Sequence, residues 1–324
     1  MSLLIVCDHD RGSLADASLE ALTFARPLAT AAGLEMAAVV IGEGAEMAAQ
    51  GLGAYGADTI HMASHPLLTD FGPEAWGETL AQLVISTGAS ALLACGTERG
   101  NEVMAQAAAR LDLPFVANCR SVDPTGDHWS MTRVQWGGSL LEDIDLTAEI
   151  CLMTVAHHVV EAVIAEAPAA GSLVSFSPEL SEETAHTVVV DRVVLTKGVT
   201  LSTAPVVVGG GRGVGSAEAF ASLEELAQEL NGVVGCSRAV TNNGWRPHSD
   251  QVGQTGTRIA PDIYIASGIS GAIQHWVGAM AAKNILAINT DSEANMVSRA
   301  GHAVIGDLHQ VIPAITEEIR RRKS

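Results

Sequence analysis

The sequence predicts an α/β protein of two domains, each built on a mostly parallel sheet covered by helices. Residues 1–115 alternate short, uniformly apolar runs with amphipathic segments, as parallel strands buried on both faces do. A second pattern of the same kind begins at "APVVVGGGRGVG" (204–215). The 324 residues are 48% hydrophobic but only 4% aromatic. That is enough for two cores in which small side chains let helices lie on a sheet.

The first domain is predicted to extend over residues 1–200, with added antiparallel strands in its later part. Its predicted strands are 3–8, 36–42, 58–63 and 91–96, with helices at about 13–32, 45–53, 74–87 and 98–111. Residues 128–156 contain a Gly-Gly pair at 137–138 and no helical pattern, which predicts antiparallel strands that complete the first sheet. Residues 157–185 are predicted to form turns and a linker, and a last strand pair is predicted at 186–196.

The second domain is predicted to extend over residues 201–324. An apolar strand after Ala204 leads into a glycine-rich loop and a helix at 216–231. Further strands are predicted at 233–236, 262–266, 285–289 and 303–306. This alternation again predicts a parallel sheet.

The charge and the cysteine content indicate which partners and which cellular compartment to expect. The formal net charge is −19, from 37 acidic and 18 basic residues, and such a surface repels nucleic acid. Five cysteines without a metal-type spacing indicate reduced thiols and a cytoplasmic protein. The start "MSLLIVCDHD" predicts a first strand rather than a signal peptide. No apolar run reaches the ~18–20 residues of a membrane span, so we expect a protein that is not embedded in a membrane.

Ligand-type segments follow the predicted strands of the second domain. They are the glycine loop at 209–215, a polar loop at 235–256, "SGISGAIQH" at 267–275, and the residues Asn289 and Asp307. Ligands of open α/β sheets bind at the carboxyl ends of the strands, so together these segments predict a ligand site. Taken alone, the glycine loop could equally be a tight turn, and a lone histidine such as His275 is more often structural.

The segment "SGISGAIQHWVGA" (267–279) is predicted to be a turn and a helix capped by Ser270. Such a start would aim backbone N–H groups and a positive dipole at an anion. Helical spacing places His275 on a stripe of small residues, where another group can approach closely. A second stripe, formed by Ile273, Val277 and Met280, is predicted to face the core.

These segments carry a resemblance to a known family. "QVGQTG", "APDIYIASGISGAIQHWVGA", "ILAINTD" and "AVIGDLHQVIPAI", preceded by "GGRG" and "CSRA", closely resemble the C-terminal half of the electron transfer flavoprotein alpha subunit (the FixB family). The match extends from about 204 to 320. The first domain resembles the family only in layout and length.

The resemblance implies one tightly bound FAD in the second domain. Arg212 and Ser237 would hold the diphosphate region. Arg238 would lie over the isoalloxazine and favour its anionic reduced forms, and Thr255 would offer its hydroxyl near flavin N5. His275 would lie near flavin O2, where a cation or a hydrogen-bond donor stabilises added negative charge. The remaining cofactor residues implied are Val252, Gly253, Gln254, Ser270, Gly271, Ala272, Ile273 and Gln274, with Asn289, Asp307 and Leu308 at the adenosine end.

The resemblance also implies a heterodimer with a beta subunit that carries AMP or a second FAD, and that the first domain contacts. The expected role is an electron carrier between flavin dehydrogenases, as in fatty acid or amine oxidation, and a quinone oxidoreductase or another acceptor. An alternative is the alpha subunit of an electron-bifurcating complex that oxidises NADH. A Rossmann-type oxidoreductase is disfavoured because "CDHDRGS" (7–13) lacks GxGxxG. Two departures from the family are Asn242-Asn243, where relatives usually have an acidic-small pair, and Ala156, where many have arginine.

Overall fold

The computed structural model describes residues 1–190 and 199–323. The chain divides into two compact units, Met1–Gln135 with Leu140–Val193 and Trp136–Ser139 with Val194–Ser324. The domain boundary at residue 200 remains a prediction. Within the described ranges, no helix combines the length and apolar character needed to cross a membrane.

The first unit is built on a nine-stranded sheet flanked by helices. Its strands are β1 (Ser2–Val6), β4 (Glu35–Ile41), β5 (Thr59–Ala63), β6 (Ala91–Cys95), β7 (Phe115–Thr125), β8 (His128–Gln135), β9 (Leu140–Thr147), β10 (Cys151–Val155) and β11 (Ser172–Phe176); β2 (His9–Asp10) and β3 (Ser13–Leu14) form a separate small hairpin. Its helices are α1 (Asp16–Ala32), α2 (Ala45–Ala48), α3 (Pro73–Thr87) and α4 (Glu98–Leu111). The strand order is β11-β5-β4-β1-β6-β10-β7-β8-β9.

The central strands are apolar throughout because both faces of the sheet are covered. In β1, Leu3 and Ile5 pack into one core cluster with residues of α1, while Leu4 and Val6 pack into another with residues of α3 and α4. Successive side chains of a strand point to opposite faces, so a strand between two helix layers needs apolar residues at every position.

Three parts of the first unit differ from the sequence prediction. Strand β10 pairs in parallel with β6 and β7, so only β8 and β9 are the added antiparallel strands. The predicted linker at 157–185 contains β11, which pairs in parallel with β5 at the sheet edge. In the strand pair predicted at 186–196, residues 186–190 are not in a strand, and 191–196 lie outside the described residues.

The second unit is a five-stranded parallel sheet, as the sequence predicts. Its strands are β12 (Val206–Gly210), β13 (Val233–Cys236), β14 (Ile263–Ser267), β15 (Asn284–Asn289) and β16 (His302–Ile305), in the order β13-β12-β14-β15-β16. Its helices are α5 (Ala221–Glu229), α6 (Arg238–Asn242), α7 (Ile273–Ala279), α8 (Asn295–Arg299) and α9 (Leu308–Lys323).

Two core clusters cover the two faces of this sheet. Val208, Ile265 and Ile288 pack with residues of α5 and α9 on one face. Tyr264 and Ala287 pack with residues of α7 and α8 on the other. The helices thereby fix where the loops at the carboxyl ends of the five strands begin and end.

Candidate functional site

A cavity of about 540 Å³ lies at the carboxyl ends of the strands of the second unit. This is where open α/β sheets bind ligands, and the volume lies within the range of about 300–1,000 Å³ typical of ligand pockets. The cavity is lined by Arg212, Gly213, Ser237, Arg238, Ala239, Asn242, Gly268, Ile269, Ser270, Gly271, Ala272, Gln274, His275, Asn289, Asp291 and Ala294. Loops after β12, β13, β14 and β15 all contribute.

Glycine lets the loops after β12 and β14 approach each other at the cavity floor. The N–H of Gly211 donates to the carbonyl of Ser267 at 2.8 Å, and the N–H of Gly213 donates to that of Gly268 at 3.1 Å. A Cβ on Gly211 would lie 2.2 Å from the Gly268 oxygen, which no side chain could tolerate. The glycine loop is therefore required by packing, whatever it also does for a ligand.

A second close approach joins the "QVGQT" loop to α7. A Cβ on Gly278 would lie 2.4 Å from Cα of Gly253, and Gly253 itself has φ of +142°. The N–H of Gln254 donates to the carbonyl of Gln274 at 2.7 Å. These contacts explain the stripe of small residues predicted on α7: it receives a backbone segment of the same unit.

His275 is buried on this stripe and is paired with Tyr264. Its Nε2 lies 2.8 Å from the Tyr264 hydroxyl, and its Nδ1 is buried without a hydrogen bond of good geometry. Burial lowers the pKa of His275 from 6.5 to about 4, although the backbone of Val252 lies close enough to oppose this in part. The imidazole is therefore neutral at pH 7 and can donate or accept a hydrogen bond, but it is not a cation.

The charges at the cavity favour an anion. Arg212 and Arg238 are exposed side chains of the lining, and neither forms an ion pair with any other described residue. The lining carries one carboxylate, that of Asp291. A net positive lining on a chain of net charge −19 concentrates anionic ligands at this point of the surface.

The side chain of Asn289, at the end of β15, is held by two hydrogen bonds. The Asn289 amide donates to the carbonyl of Ile269 at 3.1 Å, and its oxygen accepts the N–H of Asp291 at 3.1 Å. The side chain thus ties the loop after β14 to the loop after β15. Both loops line the cavity.

Thr255 lies outside the cavity lining but has a defined hydroxyl geometry. Gln251, which is 2% exposed, accepts a hydrogen bond from the Thr241 hydroxyl at 2.8 Å and donates one to Thr255 Oγ1 at 2.9 Å. Because Thr255 Oγ1 accepts this bond, the Thr255 hydroxyl can still donate its own proton to another group. The chain of three side chains therefore prepares Thr255 to donate.

The structure brings most of the predicted site residues to the cavity, but not all of them. Those outside its lining are Val252, Gly253, Gln254, Thr255, Ile273, Asp307 and Leu308. Val252 and Leu308 are core side chains, and the carboxylate of Asp307 accepts the N–H of His309 at 3.0 Å at the start of α9. The residues named for the cofactor did not include seven that line the cavity, although the first five of them lie in segments predicted to bind a ligand: Gly213, Ala239, Asn242, Gly268, Ile269, Asp291 and Ala294. Each lies close in sequence to a predicted residue, which was the available signal.

Two predictions about α7 were wrong. The helix begins at Ile273 after an N-cap at Ala272, so Ser270 does not cap it. Ser270 instead lies in the loop, where its carbonyl accepts the N–H of Met296 at 3.2 Å. The predicted core stripe is only partly buried, since Ile273 and Met280 are 43% and 46% exposed.

Two protein-family models together match residues 3–280 of the chain. Residues 3–208 match the model described as "Electron transfer flavoprotein domain". Residues 200–280 match the "Electron transfer flavoprotein FAD-binding domain", and this second range contains most of the cavity lining.

The chain is also similar to curated proteins along its full length. It is 33% identical to an electron transfer flavoprotein subunit alpha of Thermoanaerobacterium thermosaccharolyticum over 98% of both chains. It is 36% identical to one of Mycobacterium tuberculosis over 99% of both. The protein FixB of Azorhizobium caulinodans is 35% identical over 99% of this chain and 89% of its own.

A solved structure of a thiamin diphosphate-dependent enzyme from Mycobacterium smegmatis covers 98% of this chain and 59% of its own, with 12% identity and a TM-score of 0.24, which is too low to inform the fold. The family models and the full-length relatives agree with each other. The chain belongs to the electron transfer flavoprotein family, among its alpha subunits.

Proposed function

We propose that the chain binds one FAD in the cavity of its second unit and carries electrons as half of a heterodimer. Its partner is an electron transfer flavoprotein beta subunit, which the first unit contacts and which holds AMP or a second FAD. The complex accepts electrons from flavin dehydrogenases and passes them to an acceptor such as a membrane quinone oxidoreductase. The observation that carries the proposal is the net positive cavity formed by the segments that resemble the family.

The positive charges of the cavity would bind the diphosphate of the cofactor. Arg212 and Arg238 line the cavity and form no ion pair with a carboxylate in the described part of the chain, and Ser237 adds a hydroxyl. Charge-assisted hydrogen bonds to phosphate are among the stronger polar interactions in proteins. Arg212 and Ser237 would bind the diphosphate region, and Arg238 would approach the ring system.

The flavin ring would lie in the cavity beside the start of α7, near the "QVGQT" loop that packs on this helix. Thr255 is held by Gln251 with its hydroxyl proton available, which supports a hydrogen bond from Thr255 to flavin N5. His275 would offer a neutral hydrogen-bond partner near flavin O2, with Tyr264 fixing its ring. A neutral donor still stabilises charge that develops on a buried oxygen, so this role does not require an imidazolium.

The adenosine end would lie near the loop after β15. Asn289 is held rigidly by its two amide contacts and lines the cavity beside Asp291. Asp307 and Leu308 follow the neighbouring strand β16, and their contact with adenosine remains a prediction. Bound FAD would supply the redox chemistry, since it exchanges one or two electrons.

The proposal is tested on the chain co-expressed with its beta subunit. We expect one FAD per alpha subunit, reduction by a donor flavin dehydrogenase, and reoxidation by an acceptor. Replacing Arg238 with alanine should lower the reduction potential, because a cation near the ring favours the anionic reduced forms. Arg322→Ala, an exposed arginine of α9, is the matched control and should leave the potential unchanged.

The outcomes separate the alternatives. A second FAD in the beta subunit, together with NADH oxidation, would favour the electron-bifurcating complex. A complex that contains no flavin would refute the proposal.

A further inference from the structure

We propose that Glu20, His157 and His158 form a binding site for one divalent transition-metal ion, such as Zn²⁺, in the first unit. Glu20 lies on α1, and the two histidines form the turn that follows β10. One ligand atom from each of the three residues lies within 4.8 Å of the others. All three residues belong to the first unit, whereas the residues that line the cavity belong to the second.

The distances between ligand atoms fit a small tetrahedral ion. Glu20 Oε1 lies 3.1 Å from His158 Nδ1 and 3.6 Å from His157 Nε2. Zinc bonds to nitrogen and oxygen ligands are about 2.0–2.2 Å long, so the edges of its coordination tetrahedron are about 3.3–3.6 Å. The longer distance lies at the upper end of this range, and the shorter one needs a shift of only a few tenths of an ångström.

The backbone holds the three residues together without help from an ion. The N–H of His158 donates to Glu20 Oε2 at 2.8 Å, and the N–H of Ala156 donates to the carbonyl of Cys119 at 2.8 Å. His158 has φ of +64°, and the N–H of Val159 closes the turn on Ala156 at 3.3 Å. This turn is pinned to α1, so a metal ion would find its ligands already gathered.

The charge balance favours a cation. Glu20 is only 8% exposed, and a buried carboxylate is costly unless a positive group accompanies it. Within the described residues its partners are the two imidazoles and a backbone N–H, with no arginine or lysine at ion-pair distance. An imidazole supplies positive charge only when protonated, whereas a bound divalent ion supplies it whenever it is present.

The chemical types of the three ligand atoms indicate which metal ions the site would bind. Two imidazole nitrogens and one carboxylate oxygen suit Zn²⁺, Co²⁺, Ni²⁺ or Cu²⁺, while Mg²⁺ and Ca²⁺ prefer oxygen ligands throughout. Three protein ligands leave a fourth position of a tetrahedral ion for water. The side chains of His157 and His158 are 23% and 13% exposed, so the ion can reach the site from solvent.

Binding requires one change from the present geometry. The two imidazole rings are stacked, with centroids 3.6 Å apart and planes 24° apart. Their nitrogen lone pairs lie in nearly parallel planes and must converge on one ion. The metal-bound form therefore differs by a rotation of one imidazole, and His157 is the more exposed of the two.

The test is cobalt titration of the untagged full chain in its complex, after treatment with a chelator. We expect one Co²⁺ per chain, with the visible absorption bands of a tetrahedral Co²⁺ ion, and displacement of Co²⁺ by Zn²⁺. His157→Asn should weaken binding at least about tenfold, since even the loss of outer partners of a metal ligand costs that much. His128→Asn is the control, because His128 pairs with Asp145 on the exposed β8–β9 ribbon and should not matter.

Glu20→Gln provides the second test, and circular dichroism must show that it folds. If it does not fold, His157→Asn decides alone, because that side chain is the more exposed. Absence of the cobalt bands, or equal binding by His157→Asn and the wild type, would overturn the proposal. Flavin content is measured on the same samples and should stay unchanged, so that failure here is distinguishable from failure of the proposed function.

Discussion

Acidification should destabilise the second unit through His275. The pKa of this imidazole is lowered by burial from 6.5 to about 4, so below pH 6.5 the unfolded chain takes up a proton more readily than the folded one. The contribution of His275 to the free energy of unfolding is therefore complete above pH 6.5 and declines as the pH falls towards about 4. Below about pH 4 it does not change further. The gap between the two pKa values corresponds to about 3 kcal/mol of unfolding free energy.

The assay is hydrogen exchange of the full chain at pH 7 and pH 4.5, read from amides of β14 and β15. These strands belong to the second unit, so the first unit does not mask the effect. His275→Gln removes the titrating group and should lose less stability on acidification than the wild type by about 2–3 kcal/mol. His309→Gln, an exposed histidine of α9, should behave like the wild type. An equal loss in wild type and His275→Gln would refute the reasoning.

Three further predictions concern packing and capping. Gly278→Ala should destabilise the second unit by about 1–3 kcal/mol in urea unfolding, since the added Cβ meets Gly253 at 2.4 Å, whereas Gly301→Ala, with open space around it, should cost far less. Tyr264→Phe removes the hydroxyl that pairs with the buried imidazole and should cost about 1–3 kcal/mol; a thermal scan that matches the wild type would contradict this pairing. Thr97→Ala removes the side-chain cap of α4 and should cost about 1 kcal/mol, and Thr97→Ser should largely restore it.

Apolar periodicity predicted the five-stranded sheet of the second unit and most strands of the first. Helix α4 (Glu98–Leu111) and strand β13 (Val233–Cys236) begin and end where the sequence predicted, because a helical pattern and a short apolar run are each bounded there by turn residues. Strand β10 was assigned the wrong direction, although its five residues are all buried. Uniform burial is itself the mark of a parallel strand covered on both faces.

Strand β11 could not be predicted from apolar periodicity. Four of its five residues, from Ser172 to Ser175, are exposed, so no pattern of buried positions distinguishes the strand from a linker. Its order comes from backbone hydrogen bonds to β5 at the edge of the sheet. Pairing of this kind depends on a neighbour more than a hundred residues away, which local sequence does not report.

The candidate site was predictable in location but not in all its contacts. Residues after parallel strands converge for geometric reasons, and this places Arg212, Ser237 and Asn289 at one cavity. The pairing of His275 with Tyr264 could not be foreseen, because it joins a helix to the interior of a strand. It also changes the chemistry, since burial makes the imidazole neutral where a cation had been one expectation.

The most direct test of the central claim is titration of FAD into the cofactor-stripped complex of this chain with its beta subunit. We expect one FAD per alpha subunit. We also expect affinity weakened at least about tenfold when Arg212 and Arg238 are both replaced by alanine, because each charged hydrogen bond contributes about 1.5–3 kcal/mol. No FAD bound to the alpha subunit, or equal affinity in the double variant and the wild type, would contradict the claim.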